Sequence, residues 1–374
     1  MPPIPCQRAL FDIPEGVAYL DCAKMSPLLN AAVEAGRQGL GRKAHPWNVR
    51  AEHFFDESEA VRALFAQLIG AQAGDVAIVP SVSYAMATVA GNVPIAAGQE
   101  IVTLAEDFPS GILAGRALAA RAEARLVTVG RPEGADWTAS LLEAIGGRTA
   151  LVVMPHTHWV CGTMFDVEAV ARRCRSVGAA LVLDTTQSTG ALPLDLAAVD
   201  PDYLVATSYK WLLGPYSLGF LYVAPRHQQG RPLEEAWIVR ANAHDFRSLT
   251  AYDEAFAPGA RRFDMGERAN FALLPVAAEA IRRLLDWGVG NISETLGGMT
   301  ARIEGALAER GIEGQEGRAP HFLSVRFPGG MPEGIEQRLA AADVHVSLRG
   351  ERMRITPHLY NNDQDLARLT ELLA

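Results

Sequence analysis

Between residues 76 and 223 short apolar runs alternate with segments whose apolar residues recur at helical spacing. The runs Val76-Ala77-Ile78-Val79, Ile101 to Leu104, Leu126 to Val129, Leu151 to Met154, Leu181 to Leu183 and Tyr203 to Ala206 read as strands. Between them, residues 85–90, 111–122, 139–145 and 167–177 read as helices. Such strand and helix alternation demands a mostly parallel sheet with helical crossovers. In open sheets of that kind, ligands bind beyond the carboxyl ends of the strands. Two charged residues fall on that edge: Asp184 ends one run, and Thr207-Ser208-Tyr209-Lys210 follows another.

A carboxylate able to pair with a ring nitrogen and a lysine able to form an imine are the two groups that pyridoxal 5'-phosphate requires of a protein. Taken singly, Lys210 also reads as a surface lysine at a strand end and Asp184 as a helix cap.

Asp184-Thr185-Thr186-Gln187-Ser188 followed by Thr207-Ser208-Tyr209-Lys210 resembles the class V aminotransferase family of fold-type I pyridoxal phosphate enzymes, which includes cysteine desulfurases, kynureninases and isopenicillin N epimerase. The resemblance implies an α/β fold with a seven-stranded, mostly parallel sheet and a small C-terminal α+β domain. It also implies pyridoxal 5'-phosphate held at Lys210, with Asp184 on the ring nitrogen and Gln187 beside the ring's 3'-oxygen. The phosphate falls to Val82 and Ser83, where a strand feeds a helix start and leaves backbone N–H groups free for an anion, and to Thr207 and Tyr209. Phe108 is the flat partner on which the ring stacks.

The chain departs from its relatives at Pro155-His156-Thr157-His158-Trp159, where an asparagine is usual. His158 is either an acid/base group in the pocket or a satisfied loop histidine, and Trp159 shapes the substrate side. In the loop Gly266-Glu267-Arg268-Ala269-Asn270, Glu267 stands where relatives carry threonine, which leaves Arg268 or Asn270 to reach the phosphate of a neighbouring subunit and so implies a homodimer. Arg352 and Arg354 share one face of an alternating strand. The family match selects Arg354 to hold the substrate carboxylate as a bidentate pair.

Length and composition are consistent with this reading. A chain of 374 residues exceeds one typical domain, and the divisions expected are 16–258 for the large domain and 259–374 for the small one, packed with residues 1–15. The net charge of −9, with no basic run longer than a pair, argues against nucleic acid or an anionic membrane as partner. A small amino-acid substrate is expected instead. The four cysteines show no CxxC spacing and suggest neither a metal site nor a disulfide framework. No signal-like N-terminus or bilayer-length apolar run is present, so a cytoplasmic enzyme is expected.

The reaction stays open at this level. Desulfurases need a cysteine just before the carboxylate arginine, and Val346 to Glu351 contains none. Transamination is the leading expectation, with a kynureninase-like β-lyase or an epimerase as alternatives and a non-catalytic cofactor scaffold as the last.

Overall fold

The computed structural model describes residues 2–132, 136–327 and 329–373. Its seven-stranded sheet runs, in spatial order, Val76–Val79, Gly219–Val223, Tyr203–Thr207, Ala180–Asp184, Thr149–Pro155, Glu100–Leu104 and Arg125–Val129. Gly219–Val223 is antiparallel to both its neighbours, and the remaining pairings are parallel. The expected class, α/β with a mostly parallel sheet, is what the chain forms.

Both faces of this sheet are covered, and the two-residue period of the strands sorts the side chains between them. Ile78, Val102, Val152, Leu183, Leu204 and Phe220 face one core, and Ala77, Ile101, Val153, Val182, Val205 and Leu221 face the other. The first core takes in the helices Asp56–Ile69, Val167–Val177 and Leu273–Trp287, and the second takes Val82–Asn92 and Pro109–Arg121. Phe65 stacks on Phe220 at 4.2 Å in the first core. Truncating a fully buried ring of this kind costs about 3–5 kcal/mol.

The edge strand Val76–Val79 is closed by a buried ion network. Arg62 grips Asp264 with two hydrogen bonds of 3.0 and 2.7 Å, and Asp264 also accepts from Ile78 N at 2.7 Å. Arg268 adds a second cation 3.0 Å from the same carboxylate.

A third core joins Ile303, Leu323, Val325, Met353, Ile355 and Leu369 with Ala18 and Leu20. Its antiparallel sheet is ordered Ser347–Arg349, Arg352–Ile355, Leu323–Arg326 and Glu313–Gly314. The alternating segment 344–349 forms two short strands, split at Val346. Val344–His345 pairs in parallel with Ala18–Tyr19, while Ser347–Arg349 pairs with Arg352–Ile355. Because Met353 and Leu348 face the core, Arg352 and Arg354 present the opposite face, toward the large sheet. Among the described residues no helix is long and apolar enough to cross a membrane.

Candidate active site

The carboxyl ends of the parallel strands converge on one cleft lined by Val82, Asp107, Phe108, Trp159, Asp184, Gln187, Thr207, Tyr209 and Lys210. Each strand stops where its apolar run ends, so its next residues are free of the ladder and turn over the sheet edge. Lys210 is buried, and burial, opposed by the charge of Asp184, pulls its amine from 10.5 down to about 8. Its Nζ lies 5.5 Å from the ring centres of both Phe108 and Tyr209. Asp184 Oδ1 accepts from Thr186 N at 2.9 Å, and burial pushes its carboxyl above the usual range.

The lysine loop is rigid for a local reason. Ser208 Oγ bonds the carbonyls of Pro215 and Leu218 across the loop, the latter at 2.9 Å. At Gly214 any side chain would strike Ser208, so glycine is required for this close approach.

Gln187 is anchored from behind: its Nε2 donates to Ala23 O at 3.0 Å and its Oε1 accepts from Trp211 Nε1 at 2.9 Å. Phe108 meets Trp159 edge to face at 5.5 Å, and Trp159 Nε1 donates to Glu106 O at 2.7 Å, so the indole is fixed as a wall. At the start of Val82–Asn92 the capping oxygen belongs to Ser81, which accepts from Tyr84 N at 3.2 Å. Ser83, two residues later, is exposed and lies 2.9 Å from Ser81 Oγ, which places two hydroxyls together at a helix start.

Three expected site residues sit differently. His158 lies behind the cleft wall, not in it: its ring packs on Trp137 at 4.9 Å, and its Nδ1 is 3.3 Å from Cys161 Sγ. Against the upward push of burial, hydrogen bonds from His158 and Thr163 draw that thiol down to about 7. Arg268 is buried and bound to Asp264 and to Ile238 O, so its guanidinium does not project outward. Asn270 Oδ1 caps the helix Leu273–Trp287 by accepting from Leu273 N at 2.9 Å, and Glu267 is the exposed residue of that loop.

Arg354 does face the cleft side, but it is already paired. Its Nη1 donates to Trp159 O at 2.9 Å and its Nη2 to Ser347 Oγ at 3.1 Å and Asp21 Oδ1 at 3.3 Å. Neither Asp21 nor Asp107 was singled out by the sequence reading. Asp107 lines the cleft beside Asp184, accepts from Phe108 N at 2.7 Å, and is pushed by burial and by Asp184 up to about 7. The signal that finds it is the one that found Asp184, a carboxylate where an apolar run gives out.

The cleft fits pyridoxal 5'-phosphate. It offers a buried amine with no hydrogen bond or ion pair among the described residues, a carboxylate at its floor, an exposed ring face on Phe108, and buried hydroxyls without partners on Thr157, Thr186 and Thr207. A buried hydroxyl left unbonded costs free energy that a polar ligand recovers.

Comparison with known proteins agrees. The family profile "Aminotransferase class-V" matches residues 19–366. An uncharacterized aminotransferase of Bacillus subtilis (strain 168), YcbU, is 29% identical over 337 residues, which is 85% of this chain and 84% of that protein. Kynureninase of Burkholderia pseudomallei (strain 1106a) is 29% identical over 282 residues, covering 71% of this chain and 64% of that relative's length. The solved apo cysteine desulfurase from Thermococcus onnurineus NA1 shares the fold, with a TM-score of 0.87 at 19% identity over 100% of this chain and 98% of that one. The chain therefore belongs to the class-V aminotransferase family and is an enzyme of that pyridoxal 5'-phosphate-dependent group.

Proposed function

We propose that this enzyme transaminates a small amino acid. The observation that carries the reading is the state of Lys210, a buried amine drawn down to about 8 and the basic side chain lining the cleft. Roughly a tenth of such an amine is uncharged at neutral pH, against a negligible fraction for an ordinary lysine. Transamination needs a base that can hold and move a proton in the cleft, a role the amine of Lys210 would take when the cofactor is bound. When bound, pyridoxal 5'-phosphate supplies the electron sink. Asp184 would hold its ring nitrogen, Phe108 would cover its face, and Ser81, Ser83, Thr207 and Tyr209 would supply hydroxyls for its phosphate. Arg354 orients the substrate carboxylate.

The comparison with YcbU, which spans most of both chains, supports transfer over cleavage. A kynureninase-like lyase is the second reading, favoured by Phe108-Pro109 and Tyr209 together at the cleft. Two measurements separate them. Borohydride reduction of the holoenzyme followed by peptide mapping labels Lys210. Mixing the holoenzyme with single amino acids, with no keto acid present, accumulates the amine form of the cofactor. Steady release of pyruvate or alanine, without that accumulation, would instead establish the lyase.

We infer that the working unit is a homodimer. The support is a surface cluster, in which Trp237 and Phe246 are 40% and 42% exposed and meet Phe54 edge on, beside Leu40 at 65% exposed. A contiguous exposed apolar area of this kind marks an interface. Size-exclusion chromatography showing a stable, cofactor-loaded monomer overturns it.

A further inference from the structure

Arg349 and Arg352 close a two-residue hairpin. They are register partners across Gly350-Glu351, with Gly350 at φ 57°, the left-handed geometry that such tight turns use. Their side chains therefore leave the same face of the C-terminal sheet, and this is the face that carries Arg354 two residues on. Like charges set directly opposite one another in a sheet destabilise it. Here the described residues do little to relieve the repulsion. The guanidinium of Arg349 bonds only the carbonyl of Leu348, at 2.8 Å, and Arg352 has no hydrogen bond or carboxylate partner.

The neighbouring charges make the pair more unusual. Arg326 is the register partner of Arg352 on its other side, but it is neutralised by Glu351 at 2.5 Å. The field on the half-buried Arg352 includes Arg131 and Arg326, with Glu106 opposing them. The turn thus sets two arginines opposite one another on one sheet face, with Arg349 close enough to act on Arg354, which is the kind of local conflict found at functional positions.

Arg349 also stands against the cleft wall, while Arg352 lines the neighbouring groove with Arg326 and Glu351. The guanidinium carbon of Arg349 lies 6.0 Å from the ring centre of Trp159, and that ring lines the cleft together with Phe108. A molecule whose first carboxylate reaches Arg354 has the Arg349 and Arg352 pair two residues further along the same two strands.

We propose that Arg349, supported by Arg352, is a second anion site and that the enzyme's substrate is an aliphatic dicarboxylate, its distal carboxylate seated on this hairpin. The inference rests on the transaminase reading above and narrows its substrate class. The shared chemistry is a second carboxylate, which either an acidic amino-acid donor or a dicarboxylic keto-acid acceptor provides. Arginine forks bind carboxylates in pairs of parallel hydrogen bonds, which a lysine cannot reproduce.

The test is calorimetric titration of the holoenzyme with succinate and with butyrate, unreactive probes of equal length that differ in one carboxylate. The expected result is at least about tenfold tighter binding of succinate, the size of a lost charged hydrogen bond. R349Q is expected to remove that preference, R349K to restore it only in part, and R352Q to reduce it. Two half-reactions then assign the source, aspartate or glutamate against alanine for the donor, and 2-oxoglutarate against pyruvate for the acceptor. Equal affinity for the two probes, or an R349Q variant that weakens both alike while its circular dichroism stays that of the parent, overturns the inference. Calorimetry does not depend on turnover. Failure to label Lys210 with succinate preference intact would remove the transaminase reading and leave the anion site standing.

Discussion

Arg354 and Asp21 form a buried ion pair on the cleft side of the C-terminal sheet, with Nη2 3.3 Å from Oδ1 and Ser347 Oγ accepting from the arginine while donating to the carboxylate at 2.7 and 2.8 Å. The arginine assigned to the substrate carboxylate is thus balanced by a carboxylate of the protein. This lowers the cost of burying the cation before substrate arrives. It also makes Asp21 a competitor for it.

Replacing Asp21 by Asn removes the competing charge and keeps the shape. The expected outcome is a lower Kd for butyrate, by about tenfold at most, together with a lower Tm that butyrate restores, because the ligand then supplies the missing counter-charge. Calorimetry and thermal melts with and without butyrate read both effects. A D21N protein that binds butyrate no better than the parent refutes the competition.

Asp107 sets a pH dependence of stability. Its folded pKa, about 7, stands above the ordinary 3.8 because of burial and the nearby Asp184. Between those two values the unfolded chain has released the proton while the native state keeps it, so the native state loses stability as pH rises from about 4 to about 7. Asn cannot ionise and retains the oxygen that accepts from Phe108 N. D107N is therefore expected to stabilise the protein by about 1–2 kcal/mol at pH 7 and by almost nothing at pH 4. Denaturant titrations at the two pH values check the sign, and a gain equal at both would show that the carboxyl is not the cause.

Asp264 is the anchor of the edge strand. Asp264→Ala leaves Arg62 fully buried and Arg268 nearly so without their shared counter-ion, and it strips Ile78 N of its acceptor. The expected loss is about 3–5 kcal/mol in chemical denaturation. Arg62→Met with Asp264→Leu, which removes one cation with the carboxylate but leaves Arg268 unpaired, recovers only part of it. A single variant within about 0.5 kcal/mol of the parent contradicts the assignment.

Much of the fold was legible in the chain because its signals are local. An apolar run bounded by turn residues makes a strand wherever it falls, and the strand ends at Asp184 and Thr207 follow from where the apolar residues stop. Helix limits were legible to within a few residues, except where a cap decided them. The helix after Val79 starts at Val82, three residues before its apolar periodicity, because Ser81 accepts from Tyr84 N.

What only the tertiary structure decided was which charge each polar side chain meets. Arg268 and Arg354 are both arginines in exposed-looking contexts, yet one is consumed by Asp264 and the other by Asp21, 333 positions away in the chain. His158, three residues from a strand end, turns behind the wall because Trp137 and Cys161 await it there. Sequence order sets how far a residue lies along its strand. Partnership is settled by which distant segment the packed cores bring to it, since the pull between two charges acts over a few ångströms and is blind to their separation along the chain.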